Sequence, residues 1–385
     1  MRIKLLRITT VPESLHVLLK GQLEYMQHHG FDVLAVSSKG IQVENIIKAG
    51  INHRSVLFTR RITPFTDLIA LLQLVWIIIR FNPTIVHTHT PKAGLLGMMA
   101  ALICRVPVRM HTVAGLPLME AKGAKRWLLY LSERVTYCCA HKIYPNSKGL
   151  MDYINLQFKV QDSKMKIIGH GSSNGIDARY FSKTPELERE AKKIREQLNV
   201  DPNGMVFGFV GRIVRDKGLK ELIAAFRNLN NNRNKLYLLL VGQMEVDLDP
   251  LDEVDRRYID SANNVFLVGY QTDVRPWMIA MDVFVFPSYR EGFPNVVMQA
   301  ACLELPCIVS DINGCNEIIQ HQVTGIVVPV KNVDALIKRM TDFINSSGLW
   351  HQFGVRAREF VVQHFEQRLV WDNLLKEYKY LLGNK

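Results

Sequence analysis

The chain has 385 residues and a mass of 44.1 kDa, is 48% hydrophobic and 22% charged, and carries a formal net charge of +12. That balance excludes a disordered or fibrous protein, and at about 100–200 residues per domain the length predicts two domains. The excess positive charge lies in the first half: residues 1–175 net +13 and residues 176–385 net −1, which points to an anionic partner surface for one domain.

In chain order, short apolar strands alternate with longer amphipathic stretches. Ile3–Ile8, Val33–Val36, Ile85–His87, Val106–His111 and Lys142–Tyr144 read as strands, with helices predicted over 15–29, 64–81, 92–104 and 122–139. The segment 183–203 is charged and helical, and ends in the turn Asp201-Pro202-Asn203-Gly204. The second half repeats the alternation, with strands at Met205–Val210, Leu236–Val241, Val265–Val268, Val283–Phe286, Pro306–Val309 and Gly325–Val328. Helices fit 217–229, 273–280, 293–303 and 333–345, and a last helical stretch covers about 349–382. Near-continuous apolar strands between helices predict α/β domains, each a parallel sheet covered on both faces. The boundary is expected near 175–180. Ligands of open α/β sheets bind outside the carboxyl ends of the strands, so the sites belong in a cleft between two facing domains.

The basic-then-apolar start, Met1 to Leu6, is too short for a secretory signal. The longest apolar run, Leu68 to Ile79, is broken only by Gln73. Its twelve residues fall short of the roughly 20 that a bilayer needs, so no span is expected, although the protein could lie on a membrane. The six cysteines form no Cys-x-x-Cys pair and no zinc spacing. They read as small buried hydrophobes in a reducing cytoplasm.

Two segments carry chemistry. In Phe209-Val210-Gly211-Arg212-Ile213-Val214-Arg215-Asp216-Lys217-Gly218 a strand ends, a glycine turn follows and a helix opens. Arg212 offers a guanidinium fork and Lys217 a point charge for a diphosphate, although basic loops are common. In Pro287-Ser288-Tyr289-Arg290-Glu291-Gly292-Phe293-Pro294-Asn295-Val296-Val297-Met298-Gln299-Ala300 a strand again gives way to a helix, whose N-terminus favours an anion. Glu291 can accept hydrogen bonds from sugar hydroxyls, and Gln299 lies two turns further along.

Together these segments resemble the retaining glycosyltransferases of family 4, with their GT-B fold, whose hallmark is Glu-x7-Glu after a strand with a Gly-Arg…Lys-Gly loop upstream. The resemblance extends to Ser310-Asp311-Ile312-Asn313-Gly314-Cys315-Asn316-Glu317, to Val86-His87-Thr88-His89-Thr90-Pro91-Lys92-Ala93-Gly94 and to Asn174-Gly175-Ile176-Asp177. Within the family it is most similar to the bacterial capsule and lipid-linked oligosaccharide subgroup.

The resemblance implies two Rossmann-like doubly wound domains facing across a cleft: an acceptor-binding domain over 1–175, a nucleotide-sugar-binding domain over 176–365, and a C-terminal helix over 366–385 returning to the first. It implies that Glu291, Arg212 and Lys217 are catalytic. The donor would meet Gly211, Arg212, Lys217, Tyr270, Glu291, Gly292, Phe293, Asn295, Val296 and Gln299, with His111 and Lys92 on the acceptor side. The implied reaction moves a hexose or N-acetylhexosamine from a nucleotide-sugar, here UDP-linked, to an undecaprenyl-diphosphate-linked saccharide, with the anomeric configuration retained and the domains closing to exclude water. Neither a cofactor nor a metal is expected, and Asp247-Leu248-Asp249 reads as a solvated loop. The basic half would face anionic lipid at the cytoplasmic side of the inner membrane through Arg60-Arg61, Arg105, Arg109, Lys122, Lys125 and Arg126, with Leu116-Pro117-Leu118-Met119 dipping in or packing locally.

Two positions depart from the family pattern. The motif reads Glu-x7-Gln, and Ala114 stands where the family often has a histidine, with His111 three residues earlier. These departures keep an inactive GT-B-like scaffold as the alternative. A sugar-nucleotide epimerase is a further rival. Nucleic-acid binding finds no motif and no interleaved exposed aromatics. His87 and His89 read as structural residues at a strand end.

Overall fold

The computed structural model describes residues 3–59, 62–119, 121–230, 235–245 and 249–383, apart from the side chains of 347–349. Arg60, Arg61, Asp247 and Leu248 therefore lie outside the described residues. The chain divides into two units: Met1–Gly175 with Gln367–Lys385, and Ile176–Glu366.

Unit 1 is built on β1 (Ile3–Ile8), β2 (Phe31–Ser37), β3 (Asn52–Ser55), β4 (Ile85–His89), β5 (Val108–Val113) and β6 (Lys142–Pro145). They form one parallel sheet in the order β3-β2-β1-β4-β5-β6. Unit 2 holds β7 (Met205–Val210), β8 (Leu236–Val241), β9 (Val265–Leu267), β10 (Val283–Phe286), β11 (Cys307–Ser310) and β12 (Ile326–Val328). Its parallel sheet runs β12-β11-β10-β7-β8-β9. Renumbered from its own first strand, this is the same doubly wound order, which reverses direction between the first and fourth strands of each unit. Those reversals lie at β1/β4 and β7/β10.

The strands are apolar because helices cover both faces. Leu5, Leu6, Val33, Val86 and Met110 are buried in unit 1, and Phe207, Phe209, Leu239, Phe284 and Ile308 in unit 2. The edge strand β3, of sequence NHRS, has neither alternation nor an apolar run; nothing local marks it, and only pairing with β2 makes it a strand. β5 starts two residues later than predicted because Pro107 cannot donate to a ladder. The expected 15–29 helix breaks at Gly21, packed beneath the Trp371 ring, into Ser14–Leu18 and Gln22–His28.

The last helical stretch is two helices, Ser347–Phe365 and Gln367–Gly383. At the break, Ile176 donates to the Phe365 carbonyl, and beyond it the chain belongs to unit 1. There Trp371 Nε1 donates to Asn174 Oδ1 at 2.7 Å, and Tyr378 is fully buried.

The predicted 64–81 helix forms as Pro64–Phe81. The twelve-residue run understated it: at 18 residues it is long and apolar enough to cross a membrane by length and composition alone. It packs instead on the Pro91–Ile103 helix of unit 1, burying Ala70, Leu74, Ile77 and Ile78. Leu116 and Leu118 are buried, so the 116–119 turn packs into unit 1 rather than presenting an apolar tip. Arg109 and Arg126 are tied to backbone carbonyls, whereas Arg105, Lys122 and Lys125 are exposed.

Candidate active site

The site in unit 2 forms where its strand order reverses. The loop after β7 carries Arg212, Asp216 and Lys217; the loop after β10 carries Ser288, Arg290 and Glu291. Two glycines bring these loops together. Gly218 has φ +71°, and a Cβ there would lie 2.0 Å from the Pro287 carbonyl oxygen. Gly314, in the loop after β11, has φ +72° and would meet the Gly292 carbonyl at 2.7 Å. Any side chain at either position would both strain the backbone and push the loops apart.

The result is an ion pair. Lys217 Nζ lies 2.5 Å from Glu291 Oε1, and both side chains are largely covered, at 15% and 16% exposure. Buried Ser288 donates to the same oxygen at 2.9 Å. Glu291 Oε2 accepts no hydrogen bond among the described residues, so it is available to a ligand hydroxyl. Lys217 Nζ has further protons to give and stands 5.9 Å from the centre of the Phe286 ring. A lysine and a carboxylate side by side, with an aromatic ring behind the lysine, suit an anionic group joined to a polyol.

Around the pair runs a second layer. Asp216 accepts from Arg290 at 3.2 Å, and its carbonyl accepts from Tyr289 N at 2.9 Å. Asp249 accepts from the Asp216 N–H at 2.7 Å and from Arg215 Nε at 3.0 Å. Asp249 is thus a clamp on the β7 loop rather than a solvated loop residue. Asp216 Oδ1, Arg290 Nε and Ser310 Oγ are buried without a partner among the described residues. Ser288, Asp216 and Arg290 were not singled out from sequence, and Asp249 was read only as solvated, since only the fold brings them near Lys217 and Glu291. Ser288 had one local signal, standing three residues before Glu291 at a strand end.

The other expected donor residues are placed as follows. Arg212 is exposed and paired with Glu245 at 3.0 Å, not with Glu291. Gly211 closes the turn, its N–H donating to Val241. The helix Asn295–Cys302 has no side-chain cap, which leaves its first turn to an anion. Asn295, Val296 and Gln299 are half-buried, and Gly292 is buried. Phe293 packs on Phe365 with ring centres 5.0 Å apart, so only its backbone can meet a ligand. Tyr270, after β9, is 75% exposed, a free ring for stacking.

In unit 1, His111 is buried and bonds Thr88 Oγ1 at 2.8 Å. Gly94 leaves room for its ring and nothing more, since a Cβ there would meet it at 2.4 Å. Burial lowers its pKa to about 4. Lys92 Nζ is held by Asp67 at 2.7 Å, with Thr59 beside it at 2.8 Å. His87 and His89 are buried on Arg7, which bonds His87 Nδ1 at 2.8 Å, His89 Nε2 at 2.6 Å, Gln22 at 2.6 Å and Tyr378 Oη. This is a structural cluster joining β1, β4 and the C-terminal helix.

Comparison with known proteins decides the family. Residues 190–360 match the model of glycosyl transferases group 1, and residues 17–171 that of the glycosyl transferase 4-like domain. The chain is 34% identical to the capsular polysaccharide biosynthesis glycosyltransferase CapM of Staphylococcus aureus, over 98% of this chain and 97% of that one. The protein is a GT-B glycosyltransferase of family 4.

This glycosyltransferase is also 29% identical to the Escherichia coli UDP-Gal:alpha-D-GlcNAc-diphosphoundecaprenol alpha-1,3-galactosyltransferase, over 74% of this chain and 73% of that one. Its fold matches the crystal structure of HepE from Anabaena in complex with UDP, with a TM-score of 0.81, 18% identity, and coverage of 98% of this chain and 100% of that one. Lys217 and Glu291 are the residues that the sequence resemblance matches to the Gly-Arg…Lys-Gly loop and the first glutamate of the family motif. The same resemblance matches Gln299 to the second.

Proposed function

We propose that this glycosyltransferase moves a hexose or N-acetylhexosamine from a UDP-sugar to a lipid-diphosphate-linked saccharide, with the anomeric configuration retained, during assembly of a bacterial surface polysaccharide. The Lys217–Glu291 pair at the β7/β10 reversal carries the reading. It puts a cation for a diphosphate and an acceptor for sugar hydroxyls within one hydrogen bond of each other. Further support comes from the relative that uses a UDP-sugar and a diphosphoundecaprenol acceptor.

On this reading Lys217 and Arg212 bind the donor diphosphate, Arg212 leaving Glu245 to do so. The first turn of the Asn295–Cys302 helix faces the same anion. Glu291 Oε2 orients the sugar, Gln299 bonds the ribose as a neutral partner, and Tyr270 covers the base. The bond from the anomeric carbon to the diphosphate oxygen breaks, and the acceptor oxygen bonds the same face. The acceptor proton passes to the departing diphosphate. Charge grows on that diphosphate in the transition state, so fixed cations there lower the barrier directly. Two cations and a helix terminus supply the charge that a divalent ion supplies elsewhere, and activity is expected to survive EDTA. The acceptor is membrane-borne, which places the enzyme at the cytoplasmic surface of the membrane.

The test is thermal stability with UDP, GDP, ADP, TDP and CMP in the presence of EDTA. A nucleotide at 100 times its dissociation constant adds about 2.7 kcal/mol. A shift with UDP that disappears in Lys217→Ala supports the reading. A shift with GDP or ADP instead keeps the enzyme and overturns the donor. No shift with any nucleotide makes a binding scaffold the better account.

A further inference from the structure

The Pro64–Phe81 helix shows water a face that a soluble helix would hide. Phe65, Leu68, Ile69, Leu72, Trp76 and Ile79 are all exposed, Phe65 at 88%, Ile79 at 66% and Leu72 at 62%. Steps of three and four place them on one stripe. Two polar residues of the helix are turned to neighbours: Asp67 accepts from Lys92, and Gln73 Oε1 accepts from the Leu57 N–H. The opposite face, with Ala70, Leu74, Ile77 and Ile78, is already buried in unit 1. The fold therefore accounts for one apolar face and leaves a second of six large side chains, well beyond singly scattered surface hydrophobes.

Basic groups flank its C-terminal half. Arg80 lies over the Trp76 ring at 5.8 Å. Trp76 and Arg54 line both an open groove of about 820 Å³, with Arg80, His53 and Asp32, and a neighbouring one of about 450 Å³. Neither Arg54 nor Arg80 is in an ion pair among the described residues. By sequence, unit 1 carries a formal charge of +15 and unit 2 of −3.

We propose that this stripe is where the enzyme lies on a bilayer of anionic phospholipid. Phe65, Leu68, Ile69 and Leu72 enter the acyl boundary, Trp76 sits at headgroup level, and Arg54 and Arg80 meet lipid phosphates. The helix spans about 27 Å and lies flat, as interfacial helices do. A second copy of the chain fits this face poorly: a two-fold contact would set two strongly basic units, with Arg54 and Arg80, against their own copies. The inference deepens the proposed membrane-borne acceptor and rests on it.

The test is co-sedimentation of the full chain with vesicles of phosphatidylcholine containing 30 mol% phosphatidylglycerol (a composition chosen for the assay). Wild type is compared with Leu68→Gln/Leu72→Gln/Trp76→Gln and with Arg54→Gln/Arg80→Gln. All substituted side chains are exposed, and an unchanged UDP-induced thermal shift shows that each variant is folded. The triple variant is expected to lose at least tenfold in partitioning. The arginine variant is expected to lose severalfold, with pure phosphatidylcholine vesicles binding weakly throughout. Wild type remaining in the supernatant, or the triple variant sedimenting like wild type, overturns the proposal. So does a wild-type dimer that the triple variant turns into monomer with no vesicle binding. A UDP shift without vesicle binding fails only the stripe; vesicle binding without any nucleotide shift fails only the transferase reading.

Discussion

On the proposed function, Lys217 and Glu291 divide binding from chemistry. Lys217→Ala would remove the cation proposed to meet the diphosphate, so both the UDP-induced shift and turnover should fall. Glu291→Ala should keep most of the UDP shift while turnover drops about 100- to 1000-fold, the usual loss when one preorganised electrostatic partner goes. Isothermal titration with UDP beside steady-state assay separates the two, and equal losses of binding and turnover in Glu291→Ala would refute the assignment. The buried histidines give the stability a pH slope. Burial, then the neighbouring Arg7 charge, holds His87 and His89 well below their ordinary value, and burial takes His111 to about 4. Unfolded, they titrate near 6.5, so below that pH the unfolded chain binds more protons. Their contribution is present above pH 6.5 and is lost as the pH falls. For His111 alone it amounts to roughly 3 kcal/mol. Glu133 works in the opposite direction. Burial raises it to about 7, and its Oε2 has no partner among the described residues; its contribution is therefore lost as the pH rises through 4.5 to 7. The midpoint of thermal unfolding should fall between pH 7.5 and 5 in wild type. Glu133→Gln should be the more stable protein at pH 8, by up to roughly 3 kcal/mol, and equal to wild type near pH 4. A wild-type midpoint flat across that range would contradict the neutral-histidine account.

Gly218→Ala would set a Cβ 2.0 Å from the Pro287 carbonyl at a φ of +71°. Backbone strain of that kind costs of order 1–3 kcal/mol, and the loops carrying Lys217 and Glu291 would have to separate. Loss of activity larger than the loss of stability is the expected signature, read by comparing the thermal midpoint with kcat/KM. Substitution at Gly30, whose Cβ would have open space, serves as the control for φ alone. At the other end of the chain, the Gln367–Gly383 helix is anchored by Tyr378, whose hydroxyl meets Arg7 and His87. Tyr378→Phe leaves the buried guanidinium one partner short, at about 1–3 kcal/mol. Faster amide exchange confined to 367–383 and its β1 neighbours would report the undocking.

At the scale of the whole molecule, charge and apolar surface separate by salt. In the proposed docking, the +15 of unit 1 would attract anionic lipid over a Debye length of about 8–10 Å at physiological ionic strength, whereas burial of the Leu68–Ile79 stripe would not depend on screening. Raising NaCl from 0.05 to 0.5 M should weaken wild-type binding to anionic vesicles several-fold without abolishing it, and should abolish the residual binding of the Leu68/Leu72/Trp76 variant. All six cysteines are free, and each unit has a large apolar core of its own, so reductant should leave the thermal midpoint unchanged.

The sequence alone determined the class of fold, the family and the two loops that hold Lys217 and Glu291. Buried parallel strands must be apolar along their length, and a strand-to-helix turn that faces a diphosphate needs its glycines and basic residues close together in the chain. Both signals are local, and a local signal survives in one dimension. β3 is polar and was invisible because its only reason to be a strand is its pairing with β2. The clamp of Asp249 on the β7 loop, the Ser288 and Lys217 contacts to Glu291, and the Arg7 cluster join residues 3 to 371 positions apart. The Leu68–Ile79 run was legible as apolar, but not as half-exposed, since a helix pattern carries no record of which side its neighbours cover. Packing made those decisions: the helices of unit 1 bury one face of that run, and its outer face is left without a neighbour.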